Sequence, residues 1–194
     1  RKAEQMNFNL SEEQTMIRES IVRFVQQNYE LEQRNKVVAK QDGYSTKHWQ
    51  QFAELGWLSI PFDEGFGGFG GGPADTMVIM QEIGRGIIAE PYLPTVLLFG
   101  QLLQAGADEE VKNELLPQVI GGELQGAFAY TERQSRYALN DVVTTARQTD
   151  DEWVIDGCKT VVLRPYTQSA ASAWYGIPIR GKPLALHDAC AAAL

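Results

Sequence analysis

The order of apolar and polar residues divides this chain into a long helical part and a shorter part with strand character. Between residue 11 and about residue 120, apolar residues recur at the three- and four-residue spacing of amphipathic helices. Beyond residue 125, β-branched and aromatic residues cluster in short runs between turn-forming pairs. The pattern predicts an α+β fold, with an all-α helical region followed by antiparallel β-structure.

Five helices are predicted in the first part, and polar capping residues mark three of their starts. Ser11 and Gln14 have the spacing of a capping box, in which each side chain satisfies a free backbone amide of the first turn. Ser45 and Asp108 are also preferred N-cap residues. The helix that opens at Pro94 is apolar on nearly all sides, which predicts that it is buried. The predicted spans are 11–29, 45–56, 74–89, 94–103 and 108–121.

Three short β-branched runs follow, and tight turns separate them. The runs are Val142–Thr145, Trp153–Ile155 and Thr160–Leu163. Asp150-Asp151 and Asp156-Gly157 lie between them, and Asp-Gly is a strong signal for a two-residue hairpin. Three strands joined in this way predict an antiparallel sheet.

A glycine-rich segment at 64–73 contains a G-x-G-x-x-G pattern. Gly65, Gly67 and Gly70 satisfy the spacing of the dinucleotide-binding fingerprint. That fingerprint requires a preceding strand and a second parallel strand about 30 residues later, and the sequence predicts neither here. We therefore interpret the segment as a flexible connecting loop.

The charge of the chain limits its partners. The formal net charge is −8 at pH 7, which argues against a nucleic acid or an anionic membrane as the main partner. No apolar run is long enough to predict a membrane span. Cys158 and Cys190 have no metal-ligand spacing, and two isolated cysteines suggest a reducing, cytoplasmic compartment.

The residue pattern alone predicts no catalytic residue and no metal site. His48 lies on a predicted helix and His187 lies near the C-terminal end, so neither belongs to a recognisable triad or metal cluster. Glu82 and Glu90 are expected to be solvated carboxylates on helices. From composition and spacing alone, the chain is a soluble protein with helices and a small sheet.

The last 31 residues, 164–194, differ from what precedes them. They hold three basic residues and one acidic residue, Asp188, with eight alanines and three prolines. Strand chemistry ends at Leu163, so the sheet is expected to stop there. We attribute this first to a frameshift or gene-model error and second to a natural truncation.

Several motifs, in their order along the chain, resemble the acyl-CoA dehydrogenase family. The resemblance runs from about Met6 to Leu163 and implies a helical domain at 6–122 and a partial β-domain at 123–163, with a tail at 164–194 that does not resemble the family. One branch is most similar, and it includes the small subunit of pimeloyl-CoA dehydrogenase. The motifs are Phe8–Gln14, Leu55–Trp57, P-x-x-x-G-F-G-G from Pro61, Glu82–Gly86, F-A-Y-T-E from Phe128, T-T-A-R from Thr144 and D-x-W-V-I-D-G-x-K from Asp151.

The resemblance implies a flavoenzyme. Members of the family bind FAD between the β-domain and a C-terminal helical bundle. A carboxylate of that bundle removes the α-proton of an acyl-CoA thioester, while the β-hydrogen leaves as hydride to the flavin. Electrons then pass to an electron-transferring flavoprotein, and the resemblance also implies a homo- or hetero-oligomer. The expected fold is thus a helical domain and a partial antiparallel β-domain of the acyl-CoA dehydrogenase type.

Five positions match the cofactor-binding motifs of the family. Phe128, Tyr130 and Thr131 match the segment that lines the flavin, and the amide and hydroxyl of Thr131 are suitable donors to the ring edge. Val161 and Leu163 stand where the family commonly has W-I-T. The Leu163 side chain cannot donate a hydrogen bond, so only backbone contacts are expected there.

The substrate-side loop departs from the family pattern. The common sequence T-E-P-G-A-G-S-D is replaced by T-E-R-Q-S-R-Y-A, so Tyr137 stands at the serine position and is the expected substrate contact. The resemblance assigns no catalytic residue to this chain, because the family's carboxylate lies in the C-terminal bundle. We therefore expect the chain alone to be inactive. Two alternatives remain: a non-catalytic subunit packed against a complete dehydrogenase, and a helical interaction module unrelated to flavin.

Overall fold

A computed structural model describes residues 9–40, 42–149, 152–163, 174–176 and 184–186 of this chain. The Asp150-Asp151 turn, His187, Cys190 and most of the 164–194 tail lie outside these residues. The described helices are α1 (Glu12–Asn28), α2 (Leu31–Val38), α3 (Thr46–Glu54), a 3-10 helix (Glu64–Phe66), α4 (Pro73–Gly86), a π-helix (Leu93–Gly100), α5 (Gln101–Gly106) and α6 (Glu109–Ile120). The described strands are β1 (Thr145–Thr149), β2 (Glu152–Asp156), β3 (Trp174–Gly176) and β4 (Leu184–Leu186).

The capping interactions predicted from sequence are present. The Gln14 amide donates to Ser11 Oγ over 3.1 Å, and the Ser11 amide donates to Gln14 Oε1 over 3.0 Å. Ser45 Oγ accepts from the His48 amide, and Asp108 Oδ1 accepts from the Val111 amide over 3.1 Å. These contacts satisfy amide groups that would otherwise lack a partner at the helix starts.

Two predicted helices differ from those observed. The helix predicted to reach residue 89 ends at Gly86, because Ile87 adopts a left-handed conformation with φ 48°. The helix predicted from Pro94 begins one residue earlier as a π-helix, and it changes to α-helix at Gln101. Val96 and Phe99 of this helix are buried, as its apolar composition predicts.

The helical core is built around aromatic residues. The Phe24 ring meets the Phe52 ring at 5.3 Å and the Trp57 ring at 5.4 Å, both edge-to-face. The Phe52 and Trp57 rings lie 4.7 Å apart. Such pairs contribute about 0.5–1.5 kcal/mol each beyond the burial of their surface.

The glycine-rich segment connects α3 to α4, as predicted, but it includes the 3-10 helix Glu64–Phe66, and its backbone is hydrogen-bonded to the residues before it. The Gly70 amide donates to the Phe62 carbonyl, and the Gly71 amide donates to the Ile60 carbonyl, each over 2.8 Å. A Cβ at Gly68 would lie 2.0 Å from the Phe62 carbonyl oxygen. These glycines therefore permit close backbone packing, and residues 58–62 before them form turns rather than a strand.

The predicted three-stranded sheet is wrong in two respects: only Thr145 of the predicted strand Val142–Thr145 lies in β1, and Thr160–Leu163 forms no strand. β1 and β2 pair antiparallel, with Thr145 opposite Asp156 and Thr149 opposite Glu152. Thr160–Leu163 does not extend this sheet, because Val161 has a left-handed φ of 54°. The Thr160 amide donates instead to the Thr131 carbonyl over 2.8 Å.

A second antiparallel pair lies in the part of the chain where no strand was expected. β3 pairs with β4, with Trp174 opposite Leu186 and Gly176 opposite Leu184. The prediction that strand structure stops at Leu163 is therefore wrong. The domain limits at 122 and 163 remain predictions.

None of the helices in the described residues combines the length and apolar character that crossing a membrane requires.

Candidate functional site

Packing against the π-helix fixes where the chain leaves the helical core. Thr95 Oγ1, on the buried π-helix, donates to the Gly126 carbonyl over 3.2 Å. A Cβ at Gly126 would lie 2.1 Å from the Phe99 ring, so only glycine allows this approach. The segment Phe128–Thr131 starts from this fixed point.

Phe128 and Tyr130 form an aromatic pair on this segment. Their ring centroids are 5.1 Å apart and their planes differ by 32°. Phe128 is half-buried, and Tyr130 is 41% exposed. The pair therefore offers a partly exposed aromatic surface, which is suited to contact with another planar group.

Thr131 is joined to the segment that follows β2. Its hydroxyl donates to the Thr160 carbonyl over 2.8 Å, and its carbonyl accepts from the Thr160 amide. Of the two donors expected for a flavin, the hydroxyl proton is thus engaged within the protein. The Thr131 amide donates to no acceptor among the described residues.

The other expected cofactor positions lie just beyond Thr160. Val161 is 81% exposed and Leu163 is 44% exposed. The contact between Thr131 and Thr160 therefore brings the two sequence-predicted cofactor segments, 128–131 and 161–163, close together. Tyr137, the expected substrate contact, is 98% exposed on a separate loop.

Glu132 is the most densely hydrogen-bonded carboxylate here, and sequence reasoning gave it no role. Its Oε1 accepts from Lys159 Nζ at 2.7 Å, Thr144 Oγ1 at 2.5 Å and the Thr144 amide at 3.2 Å. Its Oε2 accepts from Gln134 Nε2 at 2.7 Å and the Val143 amide at 2.8 Å. The Lys159 ammonium first, then the Thr144, Val143 and Gln134 donors, hold the pKa of Glu132 well below its usual range. Glu132 lies in the F-A-Y-T-E motif and Lys159 lies in the D-x-W-V-I-D-G-x-K motif, and these motifs are the sequence signal that marks both residues.

The expectation that Glu82 and Glu90 are solvated is wrong. Glu82 is 3% exposed and pairs with Arg85 at 3.0 Å, while Glu90 is 5% exposed. Glu90 accepts a hydrogen bond from the Tyr29 hydroxyl and another from the Ser45 amide at 3.2 Å. Burial is possible because these donors replace water around the carboxylates.

No cluster of three or more His, Cys, Asp and Glu side chains suited to a metal ion occurs within the described ranges. His48 packs against the Phe24 ring, and its Nδ1 lies 3.4 Å from Glu90 Oε1. The Cys158 thiol is free and exposed.

Comparison with known proteins identifies the family. Residues 11–123 match the family described as "Acyl-CoA dehydrogenase, N-terminal domain". The probable acyl-CoA dehydrogenase YngJ of Bacillus subtilis is 30% identical over 156 residues, which are 79% of this chain and 40% of that protein. The acryloyl-CoA reductase (NADH) of Anaerotignum propionicum is 30% identical over 166 residues, which are 83% of this chain and 41% of that protein.

Solved structures agree with this assignment. The acyl-CoA dehydrogenase from Geobacillus kaustophilus superposes with a TM-score of 0.67 at 26% identity, over 81% of this chain and 41% of that one. The structure of PigA with FAD and proline superposes with a TM-score of 0.70 at 25% identity, over 81% of this chain and 42% of that chain. This chain spans about 40% of the length of the curated relatives. It belongs to the acyl-CoA dehydrogenase family, and residues 11–123 are that family's N-terminal domain.

Proposed function

We propose that this chain supplies one wall of the FAD site of a flavoprotein that dehydrogenates an acyl-CoA thioester between its α- and β-carbons. The observation that carries the proposal is the partly exposed Phe128–Tyr130 pair beside the Thr131 amide, which has no acceptor among the described residues. An aromatic surface next to an unused amide donor fits a planar ring with acceptor atoms at its edge. PigA, a structural relative with the same fold, was solved with FAD.

Each part of this wall has a separate task. Phe128 and Tyr130 would contact the ring and exclude water from one side of it. The Thr131 amide would donate to the ring edge, where negative charge grows during reduction. When bound, FAD would be the acceptor of the hydride that leaves the β-carbon of the substrate. We propose an electron-transferring flavoprotein as the acceptor of the electrons, because the family resemblance implies one.

No carboxylate of this wall is suited to remove the α-proton. Glu132 follows Thr131 directly, but it accepts from five donors and its pKa is held low, so it is a weak base. We therefore expect no turnover of an acyl-CoA by this chain alone with an artificial electron acceptor. Measurable turnover would contradict this expectation.

FAD titration tests the proposed wall. We expect the purified chain to bind FAD, followed by the change in flavin fluorescence, and Tyr130→Ala to bind about three- to tenfold more weakly, since an aromatic pair contributes about 0.5–1.5 kcal/mol. Tyr137→Ala is the matched control, because it removes the same ring from an exposed loop. Absence of FAD binding, or equal losses in both variants, would contradict the proposal.

A second candidate is a subunit that packs against a complete dehydrogenase. It is favoured by the exposure of apolar side chains on the segments around the site: Tyr137, Leu139, Val142, Val143 and Val161 are each more than half exposed. Colourless protein that co-purifies with a larger dehydrogenase subunit would support this candidate over the first.

A further inference from the structure

Glu132 closes a surface loop at its base. Near the start of the loop its Oε2 accepts from Gln134 Nε2, and at the far end the same oxygen accepts from the Val143 amide. The loop 133–142 therefore leaves the body of the protein and returns to it at one carboxylate. Because one oxygen holds both ends, the ends cannot separate without breaking a charge-assisted hydrogen bond.

The loop is also ordered internally, from its base to its tip. Ser135 Oγ donates to the Glu132 carbonyl over 2.8 Å, and the Glu132 amide donates back to Ser135 Oγ over 3.2 Å. The Ala138 amide donates to the Ser135 carbonyl over 2.7 Å, and the Asp141 amide donates to the Ala138 carbonyl over 3.1 Å. These consecutive turns are closed by hydrogen bonds on both sides of Tyr137.

The other oxygen of Glu132 reaches a different segment. Its Oε1 accepts from Lys159 Nζ, and Lys159 directly precedes Thr160, which is bonded to Thr131 in both directions. Gly157 allows this crossing, since a Cβ there would lie 2.3 Å from Thr144 Oγ1. One buried carboxylate thus links the Tyr137 loop to the segment that holds Thr131.

We propose that Glu132 is a positioning residue that holds the Tyr137 loop and the Thr131 segment as one unit, so that the substrate-side aromatic ring and the cofactor-side amide keep a fixed relation. The identity of the two ligands rests on the proposed function. The positioning itself rests on the contacts of Glu132, and it can be tested without any ligand.

Residue-resolved hydrogen exchange of backbone amides tests the positioning. Glu132→Gln replaces one carboxylate oxygen with an NH2 group, which donates and cannot accept. The protein donors that face the replaced oxygen, either those at Oε1 or those at Oε2, therefore lose their acceptor. We expect the Val143 or Thr144 amide, and the Thr160 amide, to exchange about tenfold faster or more, since hydrogen bonds to charged groups are among the stronger ones. Amides in α1 and α4 should keep their rates.

Three further variants sharpen the test. Glu123→Gln is the matched control, because Glu123 is exposed and should leave all these amides unchanged. Lys159→Met should accelerate exchange at Thr160, and Lys159→Arg should restore much of the protection because it still donates to the carboxylate. Thr144→Val removes a single donor and provides a milder variant if Glu132→Gln fails to fold.

The outcomes separate this proposal from the proposed function. Wild-type exchange rates at Val143, Thr144 and Thr160 in Glu132→Gln would overturn the positioning role. Equal acceleration in α1 and α4 would also overturn it, because that would show a general loss of stability. Failure of the wild-type chain to bind FAD would refute the flavin wall, while the exchange rates would still decide the role of Glu132.

Discussion

The Tyr29 hydroxyl donates a hydrogen bond to the carboxylate of Glu90, although the two residues are 61 positions apart in the sequence. Both side chains are buried, and the Ser45 amide donates to the other carboxylate oxygen. The carboxylate therefore joins the end of α1 to the start of α3 and to the turn that precedes the π-helix. A buried acceptor of this kind stabilises the fold only while its donors remain.

Tyr29→Phe should destabilise the chain by about 1–3 kcal/mol, because it removes one donor from a buried carboxylate and leaves the ring in place. The free energy of unfolding in urea measures the change. Tyr130→Phe is the control, since the Tyr130 hydroxyl has no protein partner among the described residues and its ring is 41% exposed. Equal stability of the two variants would show that the Tyr29–Glu90 contact contributes nothing.

Acidification should destabilise the chain through His48. Burial of the imidazole, aided by the charges of Lys47 and Lys40, lowers the pKa of His48 below 6.5. The nearby Glu90 carboxylate acts in the opposite sense, and burial is the larger effect. As the pH falls below 6.5, His48 is protonated to a greater extent in the unfolded chain than in the folded chain. The free energy of unfolding therefore decreases as the pH falls.

Urea unfolding at pH 7.5 and pH 5.5 measures the His48 effect. We expect the wild-type chain to lose more stability over this interval than His48→Gln, which has no imidazole to titrate. A wild-type chain that gains stability relative to the variant at pH 5.5 would show that the pKa of His48 is raised.

Ile87→Gly should stabilise the end of α4. Ile87 is 58% exposed and has φ 48°, a left-handed conformation that costs a β-branched residue about 1–2 kcal/mol and that glycine adopts freely. Glycine also raises the conformational entropy of the unfolded chain, which offsets part of this relief. The expected net increase in the free energy of unfolding is about 0.5–1 kcal/mol. Met77→Gly is the control: it lies within α4 with similar exposure, and it should lose about 1 kcal/mol.

Gly126→Ala should destabilise the junction between the helical region and the aromatic pair. The added Cβ would lie 2.1 Å from the Phe99 ring, so the π-helix or the 126–131 segment must shift, at a cost of about 1–3 kcal/mol. Thermal unfolding measures the loss. Gly65→Ala has open space around its Cβ, and it should change stability by less than about 0.5 kcal/mol.

The sequence by itself determined the features that depend on neighbours along the chain. Ser11, Ser45 and Asp108 predicted helix starts because a cap and its amide are only three residues apart. Apolar spacing predicted the helical region, and the order of short motifs predicted the family. The run Trp153–Ile155 also predicted a strand locally, and it lies in β2, which pairs with β1.

Only the tertiary structure decided which polar groups meet across long stretches of sequence. Glu90, which lies in the turn before the π-helix, is buried because Tyr29 and Ser45 donate to it from the ends of α1 and α3, and no local sequence pattern predicts such donors. Thr160 turns away from the expected strand and bonds to Thr131, 29 positions earlier. The physical reason is that a buried charge, or a segment that leaves a strand, needs hydrogen-bond partners from distant parts of the sequence, and only the complete fold brings these partners close. Helix caps and apolar periodicity, in contrast, depend on residues a few positions apart.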